Sequence, residues 1–210
     1  MELSQKIKNS IETTPFVKLR LGIVIGLTLL ISGAFSCTGS GTTPKPKGFF
    51  RIDLPQAQYM DFSLDDVPCA FNVSQLVTVE LPPAETSDNW INLAYPTLNA
   101  KIYCSYHQIS PAALTVMENE CRELVAKNAR NAASITERLF ENPDMQVYGT
   151  LFRIEGETVS PFQFMLTDSS TRFFRGALYY ECKPDIDSLA PVTQYLNENI
   201  VELIQSFHWK

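Results

Sequence analysis

Apolar positions follow two different periods along the body of the chain, and the order of those periods defines the architecture. Segment 49–54 (FFRIDL) reads as a short extended piece, with Phe50 and Ile52 on one side and Arg51 and Asp53 on the other, ended by Pro55. Period two then runs through CAFNV from Cys69, LVTVEL from Leu76, WINLAY from Trp90 and KIYCSYH from Lys101, punctuated by Pro82-Pro83 and Pro96. At Ser110-Pro111 the pattern changes. The serine is placed to cap a helix and the proline to fill its first turn, where a missing N–H costs nothing. Leu114, Met117, Cys121 and Leu124 repeat at 3-4-3 spacing, predicting a helix with one apolar stripe that ends near Asn128. Period two returns in SITERLF, MQVYGTLFRIE, TVSPFQFMLT and RFFRGALYYEC, four strands broken by Asn142-Pro143-Asp144, Glu155-Gly156-Glu157 and Asp168-Ser169-Ser170-Thr171. Such short breaks suit antiparallel hairpins. In the last of these strands Phe174, Gly176, Leu178, Tyr180 and Cys182 share a face and Arg175 points the other way. The chain closes on a stripe of Leu189, Val192, Leu196, Ile200, Leu203 and Phe207, opposite Gln194, Glu198, Glu202 and Gln205, with Asp187 or Ser188 available as a cap. The expected class is α+β: an antiparallel sheet packed against two amphipathic helices, in one globular domain over 49–210.

The first 36 residues follow a different rule. Four basic side chains (Lys6, Lys8, Lys18, Arg20) against Glu2 and Glu12 give a net +2, whereas the chain from Cys37 onward carries 13 basic and 21 acidic residues, a net −8. Segment 21–35 (LGIVIGLTLLISGAF) is uncharged, and its 15 residues at about 1.5 Å each fall short of a ~30 Å hydrocarbon core. A basic stretch, an apolar run and then small residues is the anatomy of a secretory signal. Ala34-Phe35-Ser36-Cys37 resembles a lipobox, in which the cysteine is diacylated and becomes the new N-terminus; the alternative is an uncleaved signal anchor. After Cys37 comes TGSGTTPKPK, a Gly/Ser/Thr tract stiffening into Pro-Lys repeats, as a tether needs. The expected organisation is a signal over 1–36, a lipid-anchored tether over 37–48 and the domain beyond, with more than one acyl chain holding it stably on a membrane.

Composition narrows the chemistry. With 45% hydrophobic residues the chain has the material for a buried core, and a formal charge of −6 argues against binding nucleic acid, which requires a basic face. The two histidines, His107 and His208, stand outside any ligand spacing, so no metal or other cofactor is expected. Cys69, Cys104, Cys121 and Cys182 form no Cys-x-x-Cys pair; they permit two disulfides in three pairings, or four buried small hydrophobes. Phosphate loops, nucleophile elbows and His-Glu-x-x-His are absent from the sequence. Asp168-Ser169-Ser170 with His208 could be drawn as a hydrolytic set, but residues of this type at a hairpin bond their own backbone, and the turn is the reading taken. Glu155 and Glu157 read as a solvated hairpin tip. Asp187-Ser188-Leu189 matches a loose O-glycosylation pattern of some envelope proteins in Bacteroidota-type bacteria, while the same serine is wanted as a helix cap.

Several blocks together, PKPKGFFRIDLP (44–55), VYGTLF (147–152), LTDS (166–169), FRGALY (174–179), KPDIDSLAP (183–191) and the final Trp209-Lys210, resemble the gliding motility-associated lipoprotein GldD family across the mature chain. The order of strands and helices is also similar to the Mog1/PsbP-like sandwich, a resemblance of pattern only. Family members often carry a cysteine near the position of Trp90; here Asn89-Trp90-Ile91 stands, so a disulfide from Cys69 into that strand is not implied. The resemblance implies a lipid-anchored, non-catalytic envelope component of a gliding apparatus linked to type IX secretion, with a GldE-like membrane protein as partner. The alternative is a general periplasmic binding or assembly factor without a motility role, and a hydrolase ranks third. Thr-Gly-Ser-Gly after Cys37 lacks the acidic cluster associated with surface export, so the expected location is the outer membrane, facing the periplasm. Charged residues in otherwise apolar strands, namely Arg51, Asp53 and Arg175, are the candidate partner surface, against the plainer reading of a solvated face or structural ion pair.

Overall fold

The computed structural model describes residues 53–83, 89–181 and 186–210. The signal, Cys37, the tether, Arg51 with the rest of 49–52, and Cys182 lie outside the described residues. In chain order the elements are β1 (Tyr59–Ser63), β2 (Cys69–Ser74), β3 (Thr78–Glu80), β4 (Trp90–Tyr95), β5 (Ala100–Gln108), α1 (Leu114–Asn128), β6 (Ala132–Asn142), β7 (Val147–Gly156), β8 (Phe162–Thr167), β9 (Arg172–Tyr180), α2 (Ile186–Ser206) and β10 (His208–Trp209).

Seven strands form one antiparallel sheet in the order β3-β4-β5-β9-β8-β7-β6. Local chemistry sets its hairpins. At β6–β7, Asn142 Oδ1 accepts from the Met145 N–H at 3.3 Å. At β8–β9, one carboxylate oxygen of Asp168 accepts from the backbone N–H groups of Ser170, Thr171 and Arg172 at 2.8, 2.7 and 2.9 Å, closing the turn. The long connection through α1 is bridged by β5 pairing with β9, nine residues against nine, from Ala100↔Tyr180 to Gln108↔Arg172. A second antiparallel sheet, β1-β2-β10, carries the chain end.

Because side chains alternate across a strand, each face of the large sheet builds its own core. One face, with Ile91, Ile102, Leu166, Phe174 and Leu178, packs with β2 and with Val192, Leu196, Ile200 and Leu203 of α2. Phe71, Phe174 and Phe207 form an aromatic knot there, with ring centroids 5.0 Å apart for Phe174–Phe207 and 5.9 Å for Phe71–Phe207. The other face buries Phe152, Ile154, Met165 and Phe173 under Cys121 and Val125 of α1. The result is the expected α+β arrangement of antiparallel sheets with two helices.

Several local expectations change. β1 has no counterpart in the apolar pattern; only Phe62 of its five residues is buried, so its signal is a single position. Asp53 and Leu54 lie in irregular backbone, not in an extended strand. Ser110 makes no side-chain cap: Pro111–Ala113 forms a 3-10 turn first, and α1 starts at Leu114. Within α1 it is Val125 that is buried, while Leu124 is 38% exposed. Asp187 and Ser188 fall inside α2 and not at its cap position. Glu202, expected on the outer stripe, is half-buried and accepts from Asn72 Nδ2 at 2.8 Å. Cys69, Cys104 and Cys121 are buried free thiols, in line with small hydrophobes. Burial pushes the Cys69 thiol up to about 12 and raises the Cys104 thiol as well.

Candidate functional site

The coverage of the two sheet faces is unequal, and the inequality makes a cleft. Helix α1 is held towards the β6–β9 side: Arg122 Nη1 bonds Glu137 Oε1 of β6 at 2.7 Å, with its guanidinium over the Phe152 ring at 5.2 Å. At the helix C-terminus, Asn128 Nδ2 donates to the Tyr179 hydroxyl at 3.2 Å and its carbonyl accepts from Thr158 Oγ1 at 3.2 Å. The β4–β5 side is left less covered. A cavity of about 400 Å³ opens there between helix and sheet, with half-exposed Tyr103 and Leu124 at its mouth.

Strand register explains which residues line it. Trp90↔Ser105, Ser105↔Arg175 and Arg175↔Met165 form one row across β4, β5, β9 and β8. Two residues along, on the same face, Asn92↔Tyr103, Tyr103↔Ala177, Ala177↔Gln163 and Gln163↔Phe152 form the next. Cys121, Leu124 and Val125 supply the helical wall. The lining is mainly apolar and aromatic, and among the described residues Arg175 is its one charged side chain.

Arg175 is positioned from β5. Its Nε donates to Ser105 Oγ at 3.1 Å, and Ser105 Oγ lies 3.2 Å from Nε2 of His107. His107 is held below its ordinary range by burial first and by the neighbouring Arg175 charge second, with Glu120 opposing. Among the described residues no carboxylate forms an ion pair with Arg175 or lies within hydrogen-bond distance of His107, so Ser105 and His107 lack the third, orienting member of a catalytic triad. Burial raises the Cys121 thiol above its usual range, which disfavours the thiolate, although Arg175 beside it pulls the other way. Gln163 is 6% exposed and its amide nitrogen has no hydrogen-bond partner among the described residues, an arrangement that costs about 1–3 kcal/mol.

Of the sequence-level candidates, Arg175 lines this cleft, Asp53 is exposed and does not line it, and Arg51 and Cys37 lie outside the described residues. Ser169 is consumed by its turn: the Asp168 carboxylate is committed to backbone N–H groups, and Ser169 itself has φ 61°. Sequence reading missed Ser105, His107 and Gln163. The available signal was a glutamine inside FQFMLT, a strand buried at all six positions. Among the described residues, no group of three or more His, Cys, Asp or Glu is placed to hold a metal, and no helix is long and apolar enough to cross a membrane.

Fold and cleft together define an α+β domain with a concavity that sets one cation against apolar walls. The chain belongs to the gliding motility lipoprotein GldD family, whose model matches residues 39–209. That family is one of membrane-anchored envelope lipoproteins associated with gliding motility. Among solved structures the chain is similar to the solution structure of cyanobacterial PsbP (CyanoP) from Synechocystis sp. PCC 6803. The identity is 10% and the TM-score 0.44, over 77% of this chain and 98% of that one. Nothing about function follows from a likeness at that level. No curated protein matches the sequence.

Proposed function

We propose that this protein is a non-catalytic, lipid-anchored component of a gliding apparatus linked to type IX secretion, working through contacts with other envelope proteins. The observation that carries the reading is the extent of the family match, which begins at residue 39, two residues beyond Cys37, and runs almost to the end of the chain. Cys37 is the acylated residue, 1–36 the signal, 37–48 the tether and 49–210 the working domain, held on the outer membrane and facing the periplasm. The commitment of Asp168 to its turn supports a non-catalytic reading, because the one hydrolytic set drawn from the sequence has no free carboxylate.

The partner surface includes Arg51, Asp53 and Arg175, and a GldE-like membrane protein is the partner implied by family resemblance. Exposure of Asp53, and an Arg175 guanidinium without a carboxylate partner among the described residues, support the assignment. Charge reversal at Arg51 and at Arg175 tests it. Loss of colony spreading and of partner co-purification, with melting temperature and membrane level unchanged, is the expected result. Wild-type behaviour of both variants returns these residues to scaffold.

A further inference from the structure

We propose that the cleft between α1 and the sheet is a binding site for a small monocarboxylate with an apolar or aromatic body. The head group is taken by Arg175 and Gln163, and the body by Trp90, Tyr103, Leu124 and Phe152.

Four observations converge on that class of ligand. The cavity, about 400 Å³, is at the small end of the range of ligand pockets, which are mostly apolar with a few fixed polar groups. The Gln163 amide nitrogen, more than nine-tenths buried within the lining, has no acceptor. Nε of Arg175 is engaged by Ser105 and the guanidinium also meets the Cys121 thiol, but among the described residues it has no carboxylate partner, so a group whose fork fits a carboxylate is left to pair with a ligand. Finally, among the described residues no Asp or Glu lines the cleft and Arg175 is the one charged side chain there, which favours an anion. A single cation with apolar walls suits a monoanion carrying a hydrophobic body. It does not suit phosphate, whose higher charge calls for more donors than these residues offer.

This site shares Arg175 with the partner-surface reading, but its test is separate because it uses the isolated protein. Calorimetric titration of the full chain in detergent uses phenylbutyrate as the probe and phenylbutanamide, its neutral isostere, as the control for micelle partition. The acid is expected to bind about tenfold or more tightly than the amide, since a charge-assisted bidentate contact distinguishes them. Arg175→Gln is expected to abolish that preference, Gln163→Leu to weaken the acid several-fold, and Glu198→Ala, exposed on α2, to change nothing. Equal binding of acid and amide, no binding of the acid, or a preference retained in Arg175→Gln overturns the proposal. Should Arg175→Gln lower the melting temperature, Leu124→Trp tests the site independently. Position 124 is half-exposed at the mouth, and a filled mouth must remove binding of the acid. Retained binding there overturns the assignment.

Discussion

Phe207, one residue past the end of α2, is where the two sheets and the closing helix meet, and its truncation is the sharpest test of the packing. The side chain is 1% exposed, and its ring lies 5.0 Å from Phe174 of β9, 5.9 Å from Phe71 of β2 and 4.8 Å from Trp209 of β10. Phe207→Ala removes all three contacts and leaves a cavity that rigid neighbours on two sheets collapse into only partly. Phe→Ala changes in cores cost about 3–5 kcal/mol, and the number of aromatic partners here argues for roughly 4 or more. Phe207→Leu keeps most of the volume and is expected to cost about 1–1.5 kcal/mol. Glu198→Ala is the control: this residue is on the exposed side of α2 and only accepts from Gln194 Nε2 at 3.0 Å, so its loss is expected to stay within about 0.5 kcal/mol. Urea unfolding with the midpoint shifting at constant slope reads these differences, and melting is expected to fall by about 8–16 °C for Phe207→Ala. A loss below about 1 kcal/mol, indistinguishable from Glu198→Ala, would refute the docking of the chain end between the sheets.

Two further perturbations probe the sheet register and the β8–β9 turn. A Cβ at Gly149 overlaps the Met165 carbonyl oxygen and the Leu166 side chain, so Gly149→Ala forces β7 from β8 and is expected to cost roughly 2–3 kcal/mol by thermal melting; an unchanged melting temperature contradicts the register. Partial burial alone would raise the Asp168 carboxyl, but the N–H groups of Arg172, Ser170 and Thr171 outweigh it and hold the group below its ordinary range. A depressed folded value means stability that is present above an ordinary carboxyl value of about 3.9 and lost as pH falls through the folded value. Asp168→Ala is therefore expected to cost about 1–2 kcal/mol at neutral pH and to flatten the acid limb of the stability profile, and an acid limb identical to wild type contradicts the turn assignment.

What was legible in the sequence was periodicity carried by several residues at once. The β9 pattern put Phe174, Leu178 and Tyr180 on one face and Arg175 on the other, and the structure keeps that division. The α2 stripe from Val192 to Phe207 is buried as spaced. Elements with one or two informative positions were not legible: β1 has Phe62 alone, and β10 is two residues whose pairing with β2 is set by tertiary contact. The Leu124 and Val125 exchange in α1 has a similar origin. The apolar stripe allows either residue to face inward, and the anchors at Arg122 and Asn128 fix the roll. The cleft could not be read at all, because Trp90, Ser105, Gln163 and Arg175 come from four strands brought into adjacent rows by the β5–β9 pairing. Only the local oddities, an arginine among aromatics and a glutamine in a buried strand, marked where to look.

Acylation of Cys37 is the claim on which the proposed function rests most heavily, because a lipid-anchored envelope component without its lipid has no place to work. Labelled palmitate fed to cells, followed by mass determination of the purified protein, tests this directly. Wild-type protein is expected to carry the label at Cys37 and to lack residues 1–36, while Cys37→Ala takes up no label and keeps them. Wild-type protein that is unlabelled and retains residues 1–36 would contradict the lipid anchor and the function built on it.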